Sequence, residues 1–254
     1  MATNTRDKKG KTALPRSPPA SPASPPPPAA AARIGEMGEV GGGGGGGIKV
    51  SLATPDDIPE LIAIFWEAFS GPGESTFPHT DDGRAWLERG FRNFLGGPSY
   101  YRPESKVPVV RNANGRPLSF AIVHVVKPGQ AGVVGSSSWK RRWGSPDDLP
   151  GLSEERLAAF FEPLARAHHL TIGREGHVYI EFLMTKVMAR RRGYATALVD
   201  WVARLADDLG YACYLDGGGR GMGILEGAGF AARDLGHRYG DAPPPCVPMV
   251  RTKK

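Results

Sequence analysis

Three consecutive arginines, Arg190, Arg191 and Arg192, run directly into Gly193, Tyr194, Ala195 and Thr196 in the stretch MARRRGYATAL. The spacing of Leu198, Trp201, Val202, Leu205 and Leu209 predicts a helix from Tyr194 to Leu209, ended by Gly210. A helix start carries about half a positive charge and favours acidic residues, so arginines stacked there call for an anionic partner. The unpaired amides of a first turn bind phosphate oxygens, and the small residues Gly193 and Ala195 leave the backbone open to a diphosphate. The guanidinium groups add forked, charge-assisted donors. A solvated basic turn would account for the arginines but not for the small residues or the strand ahead of them. Within that strand, HVYIEFLMTKV (177–187), Glu181 is the only carboxylate. It is a candidate general base, directly or through water, or else the partner of a structural arginine; an acid on a core-facing strand seldom stays unpaired, and the sequence leaves both roles open. Tyr179 and His177 share its face by the period of two, which would allow a proton relay along that side.

These residues need elements to position them. IKVSLA (48–53) reads as a strand, followed by a helix with Thr54 at its cap, Pro55 at its first position and Asp57 completing a capping-box-like pair. Ile58, Leu61, Ile62, Phe65 and Phe69 share one face of it. A second helix is expected from Asp81 to Leu95, burying Trp86, Leu87, Phe91, Phe94 and Leu95, and Asn114-Gly115 then marks a hairpin between two β-rich runs. Residues 128–152 break the pattern and read as an inserted surface loop in which Trp139 and Trp143 cover an apolar patch, or alternatively touch substrate. Ser153 caps a helix reaching His169, with Pro163 as a kink point. His168 and His169 are adjacent, point apart and lack the i, i+4 spacing of a helical metal site, so solvated histidines and no metal are expected. YACYLD (211–216) is a further strand, and the short connections of strand, helix and strand demand a parallel pair. A short helix ending at EGAGF and two β-rich stretches, 229–235 and 245–251, close an α/β domain with a mixed sheet.

The chain has 254 residues, 40% of them hydrophobic, and no apolar run near the roughly 18 needed to cross a bilayer. Residues 1–47, with SPPASPASPPPPAAAA and a run of seven glycines, hold almost no large apolar side chain and are expected to be disordered. The tail's composition would also suit an organellar transit peptide, though without the usual amphipathic arginine spacing. The folded domain is expected over 48–254. A net charge of +6 signals a mild preference for anions, and without a nucleic-acid-binding pattern neither nucleic acid nor membrane is expected as partner. Cys213 and Cys246 have no CxxC neighbour and no secretory signal, which suits reduced thiols and an intracellular, cytoplasmic setting. The P-loop pattern is absent.

Arg190-x-x-Gly193-x-Ala195 after FLMT resembles the acetyl-CoA-binding motif of the GNAT superfamily of N-acetyltransferases, Q/R-x-x-G-x-G/A following the fourth strand. LDGGGRGMGILEGAGF (215–230) is similar, without a gap, to that superfamily's frequent ending, and VSLATPDDIPELIAIFWEAF to its first strand and helix. The resemblance spans most of 48–251. It implies a mixed, mostly antiparallel sheet splayed between the family's strands 4 and 5 and flanked by helices. Acetyl-CoA would lie in the splay, its pantetheine on the main chain of Leu183, Met184 and Thr185 and its pyrophosphate on the turn from Arg190 to Thr196. The implied activity is acetyl-CoA-dependent N-acetyl transfer by direct attack of a primary amine, from a small molecule or a protein, on the thioester. A neutral amine is required, and Glu181 is the candidate to deprotonate it, with Tyr179 beside it. Two departures stand out: Leu225 occupies the position where the family often has a tyrosine acid, and Val187 replaces a common proline. Tyr194, Tyr214, Tyr239 or water could take the acid's place, and a CoA thiol is acidic enough to leave unaided. The alternative implied is a catalytically weak acyl-CoA-binding module.

Overall fold

The computed structural model describes residues 47–97, 103–130, 139–218, 221–240 and 243–253. The tail expected to be disordered lies outside this range apart from Gly47. Helix α1 (Ile58–Ala68) starts after a turn fixed by the Thr54 amide donating to Asp57 Oδ2 at 2.7 Å; α2 spans Asp81–Leu95, its first turn capped by Thr80 Oγ1 accepting from the Gly83 amide at 3.2 Å. Beside strands β1 (Val50–Leu52) and β2 (Glu104–Lys106), β3 (Pro108–Arg111) and β4 (Pro117–Val126) form the predicted hairpin, with Gly115 at φ 79° in its turn. Then come α3 (Trp139–Trp143), α4 (Glu154–Thr171), β5 (His177–Thr185), α5 (Tyr194–Leu209), β6 (Ala212–Gly217), α6 (Met222–Gly227), β7 (Ala231–Ala232) and β8 (Val247–Arg251).

The strands form one mixed sheet in the order β1-β3-β4-β5-β6-β8-β7, with β2 pairing with β4. Every pairing is antiparallel except β5 with β6. That parallel pair runs from His177 opposite Ala212 to Ile180 opposite Leu215 and then stops. Beyond it β5 stays on β4 as far as Thr185, while β6 stays on β8 as far as Gly217. The sheet therefore parts between β5 and β6, which correspond to the family's strands 4 and 5. Where it parts, β5 carries a bulge: Val123 pairs with Ile180 and Ile122 with Phe182, leaving Glu181 as the extra residue.

One sheet face is packed by an aromatic core drawn from α1, α2, α3 and α4. Phe65, Trp86, Phe91, Trp139, Trp143 and Phe161 are all at least 96% buried in it. The expectation for 128–152 needs correcting here. Residues 131–138 lie outside the described residues, but 139–143 are a helix whose tryptophans fill the core rather than cover its surface. Trp143 stacks on Trp86 at 5.1 Å and meets Phe94 edge-on at 4.8 Å. Gly90 makes room for it: a Cβ there would lie 2.3 Å from the Trp143 ring. The histidines need correcting too. His169 is exposed as expected, but His168 is buried, stacked on Tyr214 at 4.2 Å and joined Nε2 to Nε2 with His177 at 2.7 Å.

Candidate active site

The mouth of the parted sheet lies against the start of α5. Gly193, at φ 81°, forms the cap of α5; among the described residues no side chain caps the helix, and the first of its amides to reach a backbone acceptor is Ala197, on the Gly193 carbonyl at 2.9 Å. Arg191 also adopts a left-handed conformation, φ 61°, rare for a residue other than glycine. The turn is exposed and held from below: Lys186 pairs with Glu60, and the Val187 amide donates to Glu67 Oε1 at 2.8 Å, tying the approach to α1. Arg190 Nε donates to the Thr185 carbonyl at 3.3 Å.

A groove of about 780 Å³ runs from this turn into the parted sheet. Of the residues expected to hold a cofactor, Leu183, Met184, Thr185, Arg190, Arg191, Gly193, Tyr194, Ala195 and Thr196 all line it. Arg192 does not; it is exposed beside it. The β5 main chain released from β6 offers unpaired peptide groups to an extended ligand, and the uncapped helix start offers amides to a diphosphate. The donors, the arginines and the lining by released β5 main chain fit coenzyme A.

The groove continues inward to a cavity of about 380 Å³ between α1, α4, α6 and the two diverging strands. Phe69, Phe160 and Leu164 form one apolar wall, with Leu225 among the other lining residues, and Glu181, Asp216 and Cys246 bring polar groups. The Glu181 carboxylate is occupied. Oε1 accepts from Arg142 Nη2 at 2.6 Å and from Trp143 Nε1 at 3.3 Å; Oε2 accepts from His124 Nε2 at 2.6 Å. Burial alone would raise this carboxyl, but the Arg142 charge and the His124 hydrogen bond outweigh it and hold it at about 2. Burial also keeps His124 below its ordinary range, so the imidazole is neutral: Nε2–H donates to Glu181, and Nδ1 accepts from Ser105 Oγ at 2.9 Å. Of the two roles the sequence leaves open for Glu181, the geometry is that of partner to a buried arginine.

Tyr179 lies between His124 and His168, ring centroids at 5.8 and 4.3 Å, and burial lifts its phenol well above the ordinary range, so it keeps its proton. The relay expected through His177 is not formed, because its nitrogens meet His168 Nε2 and the Glu175 carbonyl instead. Tyr194 lines the groove, whereas the Tyr239 hydroxyl donates to the Pro163 carbonyl at 3.2 Å.

Sequence reasoning missed two residues. Arg142, from WKRRW, is buried and supplies the charge that fixes Glu181. Asp216, the last residue of YACYLD, accepts at Oδ1 from the Tyr214 hydroxyl at 2.7 Å, while its buried Oδ2 has no partner among the described residues. Burial raises it to about 7, and the Glu181 charge pushes the same way, against the hydrogen bond from Tyr214. An acid at the end of a strand that leads into a glycine run was the available signal.

A parted parallel pair with an exposed, uncapped helix start at its mouth defines a class of α/β protein suited to an extended ligand that bears a diphosphate. A model of the acetyltransferase (GNAT) family matches residues 58–218, and the chain belongs to that family. Its members transfer acyl groups from acyl-CoA. Among solved structures, arylalkylamine N-acetyltransferase 2 from Aedes aegypti is similar at 15% identity and TM-score 0.54, covering 82% of this chain and 99% of its own. A histone acetyltransferase HPA2-related acetyltransferase from Corynebacterium glutamicum aligns at 21% identity and TM-score 0.48 over 81% and 96%. A phosphinothricin acetyltransferase from Sinorhizobium meliloti, in complex with AcCoA, aligns at 14% identity and TM-score 0.48 over 80% and 87%. No curated protein matches the chain in sequence. Among the described residues, no group of three or more metal-ligating side chains could hold an ion, and no helix is long and apolar enough to cross a membrane.

Proposed function

We propose that the chain is an acetyl-CoA-dependent N-acetyltransferase in which a primary amine attacks the thioester directly. The observation that carries this reading is the groove itself, which joins the uncapped start of α5 to the released β5 main chain and ends at the inner cavity. Acetyl-CoA supplies an acetyl group activated as a thioester. The amides from Gly193 to Thr196, with Arg190 and Arg191 beside them, would hold the diphosphate; the main chain of Leu183, Met184 and Thr185 would align the pantetheine arm. Glu181 and Tyr179 then act as positioning residues. Glu181 ties α3 to β5 beside the cavity, because a carboxylate held near 2 is too weak a base to deprotonate an ammonium at neutral pH.

The test is direct binding. Arg190→Ala combined with Gly193→Glu removes a charged donor, places a side chain where φ is 81° and adds a like charge beside the phosphates. CoA affinity measured by calorimetry should fall at least about 100-fold while the thermal transition persists. Unchanged CoA affinity in the folded double variant would refute the site.

A second reading, a CoA-binding module without turnover, draws on Leu225, buried to 97% on the cavity wall where the family often has a tyrosine. Acceptor-dependent release of free thiol from acetyl-CoA separates the two readings, since a module binds CoA and releases none.

A further inference from the structure

The inner cavity is where β5 and β6 have just separated, and the first residue of each strand past the last paired rung is acidic: Glu181 on β5 and Asp216 on β6. Their surroundings drive the two carboxyls apart. Glu181 is saturated by Arg142, His124 and Trp143, whereas among the described residues Asp216 has one donor, Tyr214, and one oxygen left over. No cationic side chain lines this cavity among the described residues. Among the described residues, the other titratable groups near Asp216 are Tyr179 on β5, His168 on α4 behind Tyr214, and Tyr239 and Cys246 on the chain leading to β8. Burial and its neighbours keep His168 well below the range in which it would charge, and the Asp216 charge raises the Cys246 thiol further. A buried carboxylate oxygen without a partner is costly, and a cation completes it. The same cavity is lined by Phe69 and Phe160, edge to face at 5.6 Å, and by Leu164.

We propose that Asp216 is the proton acceptor of the reaction, and that the acceptor substrate is a primary amine on an apolar, aryl-sized body seated against Phe69, Phe160 and Leu164. This rests on the acetyltransferase reading above and names its base and substrate class. The ammonium gives one proton to the Asp216 carboxylate, and the freed nitrogen lone pair forms a C–N bond to the thioester carbonyl carbon. The C–S bond breaks with its pair on sulfur, the second nitrogen proton ends on that thiolate, and Asp216 returns its proton to solvent. A polyamine fits poorly, because its second ammonium would be buried against apolar walls with no second free carboxylate.

Two pairs of measurements test this. With 2-phenylethylamine as probe, the unaltered chain should release thiol from acetyl-CoA, with kcat/KM rising with pH and levelling near 7, where Asp216 loses its proton. Asp216→Asn should lower kcat/KM at least about 100-fold and remove that break, its residual rate tracking the free amine. CoA affinity should stay within about twofold, since Asp216 lies beyond the groove. Tyr214→Phe removes the hydrogen bond that favours the charged carboxylate, so the break should move to higher pH, a change that a merely structural aspartate would not produce. Independently of turnover, the carbon-13 carboxyl signal absent from Asp216→Asn should titrate near 7 in the unaltered chain with CoA bound. Calorimetry of 2-phenylethylamine on that complex should show binding weakened about tenfold or more by Asp216→Asn.

An unaltered pH profile and rate in Asp216→Asn would overturn the assignment of the base. Higher kcat/KM for spermidine or a lysine peptide than for 2-phenylethylamine would overturn the substrate class. Failure of the unaltered chain to bind CoA would sink the acetyltransferase reading and this one with it, whereas CoA binding with amine turnover indifferent to Asp216 would sink this one alone.

Discussion

Two acidic side chains, each one residue past the last paired rung of β5 and β6, carry opposite burdens. Glu181 is held at about 2, below its unfolded value, so it contributes stability that is present above the ordinary glutamate range and lost as pH falls through 2. Glu181→Gln removes a charged partner of the buried Arg142 and should cost about 3–5 kcal/mol, read as a lower midpoint in urea at pH 7. Asp216 is raised to about 7, so its sign is reversed: its stability is fully present below the unfolded value and lost as pH rises through 7. Asp216→Asn should therefore melt with the unaltered chain at pH 4 and several degrees higher at pH 8. That gain amounts to a few kcal/mol, since each tenfold change in proton affinity between the folded and unfolded chain is worth about 1.4 kcal/mol. A variant less active but more stable is the expected mark of a charge kept for chemistry. Only the pairing of Glu181 with an arginine was legible residue by residue, as one of two open roles. The strand around Glu181 announced an acid in need of a partner, yet the partner lies 39 residues away in a stretch without periodicity. Asp216 resembled any polar strand end until the two strands were seen to part above it.

At the scale of elements, the sequence spoke clearly wherever one face of a helix or strand repeats. Helix α5 begins and ends where Leu198, Trp201, Val202, Leu205, Leu209 and Gly210 predict, and α2 spans its expected range. The stretch 139–143 was misread because five residues are too few for a period to show, and WKRRW reads as surface on composition alone. What places it inside is complementarity with α2, where Gly90 leaves the space the Trp143 ring occupies. Alanine has the higher helix propensity, yet Gly90→Ala should destabilise by about 1–3 kcal/mol, because the ring is wedged among Phe65, Phe91 and Phe94 and has nowhere to move. Trp143→Ala, which empties the same space, should cost about 3–5 kcal/mol. Chemical denaturation of both variants checks the pair, and a neutral Gly90→Ala would mean that α3 is looser than its packing implies.

For the whole molecule, the likeness to the family rests on the order of elements and on one gap. The parallel pair of β5 and β6 followed from short connections in the sequence; the point at which it opens did not, because the divergence is set by what each strand pairs with on its far side, β4 and β8. A gap bridged by ligand ties folding to binding. Acetyl-CoA at 100 times its dissociation constant should stabilise the chain by about 2.7 kcal/mol, visible as a rise in melting temperature, and an unchanged melting temperature under saturation would contradict a site that spans the two halves of the sheet. The opening also bears on how far such a sequence can drift. The groups it presents between Glu181 and Leu183 belong to the peptide backbone, which every residue except proline supplies in full, so substitutions along that edge leave its donors and acceptors in place. A relative sharing 15% of its residues keeps the same architecture, and a slot written in the main chain is the part of such a protein that mutation erases last.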